Sequence, residues 1–101
     1  MVAKGYEVVW TKRSQKQMRQ VFKHISKDSP KNASKVILEI AEAVQKADSN
    51  PEIYGPDKYK NNNDGSFRAF EKHHYRIAYR FSKNIIRVLR VRHTSMEPIE
   101  Y

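Results

Sequence analysis

The sequence predicts an α+β domain in which a two-helix hairpin packs on one face of a mainly antiparallel β-sheet. Three observations predict it: a short β-prone segment near the start, two stretches of helical periodicity after it, and an alternation of apolar and polar residues from residue 67 onward. The expected order of elements is β-α-α-β-β-β. Because 101 residues suffice for one core, we expect residues 1–101 to form a single domain.

The first strand is predicted within Tyr6–Trp10, a run of β-branched and aromatic residues. Thr11 follows it and is a suitable N-cap for a helix. The apolar residues after this cap recur at helical spacing, which predicts one buried stripe formed by Met18, Val21, Phe22 and Ile25.

A second helix is predicted to begin at Ser29 and Pro30, because serine caps helices well and proline is favoured at the first helical position. Asn50 and Pro51 are expected to end it. The stripe that this helix buries runs over three turns and consists of Ala33, Val36, Ile37, Ile40, Ala41 and Val44.

The second half of the chain predicts a long loop and three strands. Residues 51–65 are rich in Pro, Gly, Asn and Asp, and loops of this length are often functional. Strands are expected at 67–71, 74–81 and 85–92, with a turn at 82–84 and an irregular segment at 93–101. In the second of these strands, Tyr75 and Tyr79 are predicted to lie in the core. The third strand has no clear apolar face.

The charge predicts a polyanionic partner. Lys and Arg number 20 against 11 Asp and Glu, so the formal net charge is +9, and such a domain attracts nucleic acid, the ribosome or an acidic protein by electrostatic steering. Solubility alone is the plainer interpretation. The absence of cysteine, of an apolar leader and of a long apolar run predicts a cytoplasmic protein that uses no disulfide and contacts no membrane. The four histidines have no metal-binding spacing, so no cofactor is predicted.

Basic residues are predicted to gather on the sheet face that the helices leave open. Metal-independent cleavage of RNA needs cations around the phosphate and an acid–base pair, for which His93 and the loop residue Asp57 are the candidates. A phosphate-binding surface without catalysis fits the same residues equally well. Tyr101 is expected to be exposed unless a substrate orders it. The candidate phosphate-binding residues are Lys58, Lys60, Arg68, Arg76, Arg80, Arg90, Arg92 and Tyr101.

Two segments resemble the RelE/ParE toxin superfamily. One is the strand sequence HYRIAY at 74–79, and the other is RVRHTSMEP at 90–98. The resemblance covers nearly the whole chain and implies the toxin of a type II toxin–antitoxin module. It implies as partners a cognate antitoxin, which would wrap the basic face in a hetero-oligomeric complex, and either the ribosome with mRNA or DNA gyrase.

The superfamily contains two activities, and the sequence has features of both. In the RNA-cutting branch, similar to YoeB and RelE, Asp57 would be the carboxylate base, Lys60, Arg68 and Arg76 would hold the phosphate, and His93 would be the near-terminal histidine. The first hypothesis is therefore a ribosome-dependent mRNA endonuclease with Asp57, Arg76 and His93 as catalytic residues. The ending of the chain is closer to ParE-like toxins, which implies the alternative of a DNA gyrase inhibitor that acts by binding without catalysis.

Overall fold

A computed structural model describes residues 5–101, and it confirms the predicted fold class. The first four residues of the expected domain lie outside the described residues. Four strands form one sheet in the order β1-β4-β3-β2, with β1 parallel to β4 and the other neighbours antiparallel. The elements are β1 (Glu7–Trp10), α1 (Lys12–Ser26), α2 (Pro30–Gln45), a short 3-10 helix (Lys46–Asp48), β2 (Phe67–Lys72), β3 (Tyr75–Ser82) and β4 (Ile85–His93).

Both helices begin where the sequence predicts. The Thr11 hydroxyl accepts a hydrogen bond from the Ser14 N–H at 3.2 Å, and the Ser29 hydroxyl accepts one from the Asn32 N–H at 3.1 Å. These side chains satisfy backbone donors that the first helical turn leaves unpaired. The second helix, however, ends at Gln45 rather than near residue 50, because the chain tightens into the 3-10 turn.

The helices pack on one face of the sheet, as predicted. Val21 of α1 and Val36, Ile40 and Val44 of α2 share a buried cluster with residues of β3 and β4. Phe22, expected in the α1 stripe, is 41% exposed, so that part of the prediction is wrong. The other sheet face carries neither helix, and we call it the open face. It consists of the residues of the three long strands that alternate with those facing the helices: Phe67, Ala69, Glu71, Arg76, Ala78, Arg80, Arg87, Arg90 and Arg92.

A β-bulge in β4 explains why this strand showed no clear apolar face in the sequence. Ala78 of β3 pairs with Arg90, but the next β3 residue pairs with Val88, so Leu89 has no partner opposite it. One extra residue reverses which side chains face inward. Val88 and Val91 are therefore both buried in the core although they are three positions apart, and Arg90 lies on the open face.

Two-residue turns join the three antiparallel strands. His73 and His74 have φ of +52° and +69°, and Lys83 and Asn84 have +50° and +64°. Two successive positive φ values are the geometry of the type I′ hairpin turn, which matches the twist of the flanking strands. His74 thus belongs to a turn and not to the predicted strand. The Nε2 atom of His73 lies 2.6 Å from a Glu39 carboxylate oxygen of α2, which ties this turn to the helices.

The long loop is confirmed as a segment without helix or strand of its own, and it runs beside the outer edge of β2. The Asp57 N–H donates to the Phe67 carbonyl at 2.8 Å, and the Ala69 N–H donates to the Gly55 carbonyl at 3.2 Å. These bonds shield part of a sheet edge that would otherwise be open to pairing. They also bring residues 57–61 beside the open face.

Candidate functional site

Arginines face each other across the strands of the open face. Arg76 lies directly opposite Arg92, and Arg80 lies directly opposite Arg87. Directly opposed like charges destabilise a sheet by roughly 0.2–1 kcal/mol for each pair. Such an arrangement lowers the stability of the free protein and favours the binding of an anion. The open face is therefore the candidate binding surface.

Asp57 is the most constrained polar residue beside this surface. It is 3% exposed, and one carboxylate oxygen accepts a hydrogen bond from an Arg76 N–H at 2.8 Å. The other oxygen accepts one from the Tyr101 hydroxyl at 2.8 Å, and the Tyr59 N–H contributes a third bond at 3.1 Å. Burial alone would raise the pKa of Asp57, but these hydrogen bonds and the Arg76 charge hold the pKa below its usual value of 3.8.

Tyr101 is anchored and not exposed, contrary to the sequence-based expectation. Besides the bond to Asp57, its N–H donates to the Tyr59 carbonyl at 3.1 Å, and its own carbonyl accepts from the Asn61 N–H at 2.6 Å. Its ring packs under the guanidinium group of Arg90 at 4.2 Å. Burial and the hydrogen bond to Asp57 raise the pKa of the Tyr101 phenol above its usual value.

Aromatic rings and cations alternate along the open face. Arg76 lies 4.7 Å from the Tyr59 ring, and Arg80 lies 4.9 Å from the Phe67 ring. Lys60 contacts the rings of both Phe67 and Tyr101, at 4.8 and 5.3 Å. Cation–π contacts of this kind fix the positions of otherwise flexible basic side chains. The surface is therefore partly preorganised for a ligand.

Arg68 does not belong to the open face, so its predicted placement is wrong. It pairs with Tyr79, whose side chain is buried on the helix side. Its guanidinium group donates to the carbonyls of Gly65 and Tyr54 and contacts Glu52 at 3.1 Å. These bonds hold the long loop against the sheet. The sequence predicted the strand correctly but not the face of the sheet on which Arg68 lies.

His93 is also placed differently from the prediction. It pairs with the buried Tyr75, and its ring meets the Tyr75 ring edge-on at 5.0 Å, on the helix side of the sheet. Its Nδ1 atom accepts a hydrogen bond from the Ser95 N–H at 3.0 Å, so Nε2 carries the proton of the neutral ring. Arg76, one position further along the register, projects from the opposite face. Both residues nevertheless line one pocket at the end of β4.

A pocket at this end of the open face gathers part of the predicted set. It lies between the sheet and residues 94–101, and its lining includes Asp57, Arg76, Arg90, Arg92, His93 and Tyr101. Arg80, Lys58 and Lys60 border the same face but do not line the pocket, and Arg68 lies apart from it. The structure thus brings the two candidate acid–base residues to one pocket. Asp57 accepts three hydrogen bonds there, and the His93 ring is turned toward the helices.

Three residues of the site were missed by the sequence analysis. Tyr59 and Phe67 supply the rings that hold the cations, and Arg87 adds a charge opposite Arg80. Tyr59 and Phe67 carried no signal beyond their aromatic character. Arg87 could have been found, because it shares the alternation of Ile85 within β4 before the bulge.

No metal site or membrane span was found in the part of the chain that the structure describes. Residues 5–101 contain no group of three or more His, Asp or Glu side chains that could hold a metal ion. Within the same residues, no helix has both the length and the apolar character required to cross a bilayer.

The sequence matches a protein family over nearly its whole length. The profile of the ParE toxin of the type II toxin–antitoxin system parDE matches residues 8–98. This chain belongs to the ParE toxin family. No curated protein sequence matches this ParE-family toxin at a significant level.

Solved structures with this fold include toxins of three toxin–antitoxin systems. The chromosomal ParDE system of P. aeruginosa gives a TM-score of 0.69 at 16% identity, covering 87% of this toxin and 95% of that chain. The RelBE2 toxin–antitoxin complex of Mycobacterium tuberculosis gives 0.58 at 17% identity, with 88% and 98% covered. The YoeB dimer of Staphylococcus aureus gives 0.57 at 15% identity, with 87% and 95% covered. The ParE-family toxin therefore shares the fold of the whole RelE/ParE superfamily.

Proposed function

We propose that this ParE-family toxin arrests growth by binding DNA gyrase through its open face, without cutting a substrate. The toxin would be held inactive by a cognate antitoxin in a hetero-oligomeric complex, as in the ParDE and RelBE2 systems that share its fold. A gyrase target implies action in the cytoplasm. The resemblance to ParE toxins supplies the identity of the target, and the geometry of the site supports a mechanism by binding.

The state of Asp57 is the observation that carries this proposal. A general base must have a free lone pair near the proton it removes and a pKa close to the working pH. Oδ1 of Asp57 accepts hydrogen bonds from Arg76 and Tyr59, and Oδ2 accepts one from Tyr101. Although burial would raise the pKa of this carboxyl group, these bonds and the Arg76 charge keep it lowered, which makes Asp57 a weak base. Asp57 therefore orients Arg76 and Tyr101 instead of acting on a substrate.

The charge of the open face supports binding to a large anionic complex. Arg80 and Arg87 are exposed and oppose each other, and among residues 5–101 neither forms an ion pair. Gyrase acts on DNA, so a gyrase–DNA complex offers phosphate oxygens together with protein surface. Guanidinium groups bind phosphates in a bidentate manner that lysine does not reproduce.

Ribosome-dependent mRNA cleavage remains the second candidate, and one observation favours it. His93 and Arg76 both border the pocket that also contains Arg90 and Arg92. To act as the acid, the His93 ring must be protonated on both nitrogens, so its Nδ1 atom would first have to give up the hydrogen bond from the Ser95 N–H. In that mechanism the arginines would stabilise the phosphorane, and His93 would protonate the leaving oxygen.

Expression in a host that carries a reporter of the SOS response distinguishes gyrase inhibition from mRNA cleavage. Gyrase poisoning damages DNA, so we expect SOS induction while primer extension on abundant mRNAs shows no new 5′ ends. The His93→Ala variant should induce the response as strongly as the unmodified toxin. New 5′ ends within codons, absent with His93→Ala, would establish the endonuclease instead. Co-expression of the adjacent reading frame should abolish either effect if it encodes the antitoxin.

A further inference from the structure

We propose that residues 94–101 form a strap that is latched by Tyr101 over the open face and must open before a polyanion can make full contact with the arginines beneath it. This inference goes beyond the proposed function, because it concerns access to the open face and not the identity of the target. It rests on contacts of this chain alone.

The strap is an exposed segment that is held at its two ends. Each residue from Thr94 to Glu100 is exposed, whereas Tyr101 is half-buried. Met96 and Ile99 are 51% and 41% exposed, so the segment has little packing of its own to hold it in place. Its start is held by hydrogen bonds of Thr94 to His74 and of Ser95 and Met96 to His93. Beyond these, its position is set by one hydrogen bond from Arg92 to the Glu97 carbonyl at 2.9 Å and by the contacts of Tyr101.

The latch combines several contacts of different chemistry. Tyr101 donates its hydroxyl proton to Asp57 and exchanges backbone hydrogen bonds with the loop through Tyr59 and Asn61. Its ring lies against Arg90 and, on another side, against Lys60. A hydrogen bond to an ionised, buried carboxylate is among the stronger ones in proteins.

The latched strap covers the cations that a polyanion would need. Arg76, Arg90 and Arg92 line the pocket whose other wall is formed by Met96, Pro98, Ile99 and Tyr101 of the strap. Arg76, Arg90 and Arg92 are only half-buried, so the strap restricts the contact of a phosphate chain with these guanidinium groups without excluding it. Arg80 and Arg87, at the other end of the face, stay uncovered, so they would provide the first contact.

Replacing Tyr101 distinguishes two roles for this residue, one that holds the strap closed and one that binds a polyanion directly. Tyr101→Phe removes only the hydroxyl and leaves the net charge unchanged. We expect faster amide hydrogen exchange at Asn61 and a roughly three- to tenfold higher affinity for a heparin oligosaccharide, the polyanion used as probe. Tyr6→Phe is the matched control, since Tyr6 contacts Phe81 away from the open face, and it should change neither quantity. Unchanged or weaker heparin binding by Tyr101→Phe would overturn the proposal.

A reversible crosslink tests the same idea within one molecule. The chain contains no cysteine, and the Asn61 N–H lies 2.6 Å from the Tyr101 carbonyl, so an Asn61→Cys/Tyr101→Cys double variant can form a single disulfide. The oxidised form should bind heparin at least several-fold more weakly than the reduced form. Equal binding by the two forms would show that the strap does not restrict access. Because heparin replaces the biological target, this result is independent of whether gyrase is inhibited.

Discussion

The carboxylate of Asp57 and the guanidinium group of Arg76 lie 2.8 Å apart in an ion pair whose acidic partner is almost fully buried. A second, longer contact at 3.6 Å joins Arg76 to Glu71. Arg76 is thus held between a loop carboxylate and a strand carboxylate. The open face owes the position of its central cation to Asp57, a residue that sequence resemblance presents as a catalytic base.

Asp57→Asn should destabilise the fold. The substitution removes the charge that compensates the partly buried Arg76, and breaking a buried ion pair on one side costs several kcal/mol. Because Arg76 keeps its contact with Glu71, we expect a loss of about 2–4 kcal/mol in the free energy of unfolding. Urea denaturation followed by circular dichroism measures it. Asp28→Asn, at an exposed site between the helices, is the control and should change stability by less than about 0.5 kcal/mol. Equal stability of the two variants would contradict the role of Asp57.

The contribution of Asp57 should disappear in acid. Its pKa in the folded protein is lower than the usual value of 3.8. A depressed folded-state pKa gives stability that is fully present above the unfolded-state pKa and is lost as the pH falls through the folded-state pKa. The difference in unfolding free energy between the unmodified toxin and Asp57→Asn should therefore be constant near neutral pH and shrink below about pH 4. A difference that grows on acidification would contradict the ion pair.

Arg68→Gln should affect stability and not binding. The Arg68 side chain is 12% exposed and connects β2 to the loop carbonyls of Tyr54 and Gly65. We expect a loss of about 1–3 kcal/mol in unfolding free energy, because buried carbonyl groups lose their charged donor. Heparin affinity, measured by fluorescence titration, should stay within about twofold of the unmodified toxin, in line with the small effect of a distant charge. A large loss of affinity would show that Arg68 belongs to the binding surface.

Arg80→Gln should have the opposite effect. Removing one member of the Arg80/Arg87 pair relieves a like-charge repulsion but also removes the contact with the Phe67 ring, so stability should change by less than about 1 kcal/mol. Polyanion binding should weaken, and the slope of log affinity against log salt should fall by about one for each lost phosphate contact. Thermal denaturation and titrations at several salt concentrations check the two effects. An unchanged salt slope would exclude Arg80 from the contact.

The sequence predicts the architecture well because its signals are local. The Thr11 and Ser29 caps and the helical stripes depend on neighbouring residues, and so does the alternation in β3. The bulge at Leu89 and the parity of Arg68 depend on which strands pair and in which register. No local pattern encodes that choice, so the side of the sheet on which a basic residue lies could not be predicted for the part of β4 that follows the bulge.

The sequence predicted most residues of the candidate site but not the hydrogen bonds that join them. The sequence places the arginines Arg76, Arg90 and Arg92 on neighbouring predicted strands. The hydrogen bond between Asp57 and Tyr101, in contrast, joins residues that are 44 positions apart. Contacts over such separations arise only from the folded chain. The roles of His93 and Tyr101 therefore changed once the geometry was known, although both residues border the predicted site.

Inhibition of purified gyrase tests most directly whether the toxin acts by binding this enzyme through its open face. Relaxed plasmid, gyrase and ATP are combined with increasing toxin, and supercoiling is followed on agarose gels. We predict that the unmodified toxin and His93→Ala inhibit supercoiling at similar ratios of toxin to gyrase, whereas a variant with Arg80→Gln and Arg87→Gln inhibits far less. Full supercoiling at every ratio of unmodified toxin to gyrase, combined with His93-dependent cleavage of mRNA on ribosomes, would contradict the proposal that gyrase is the target.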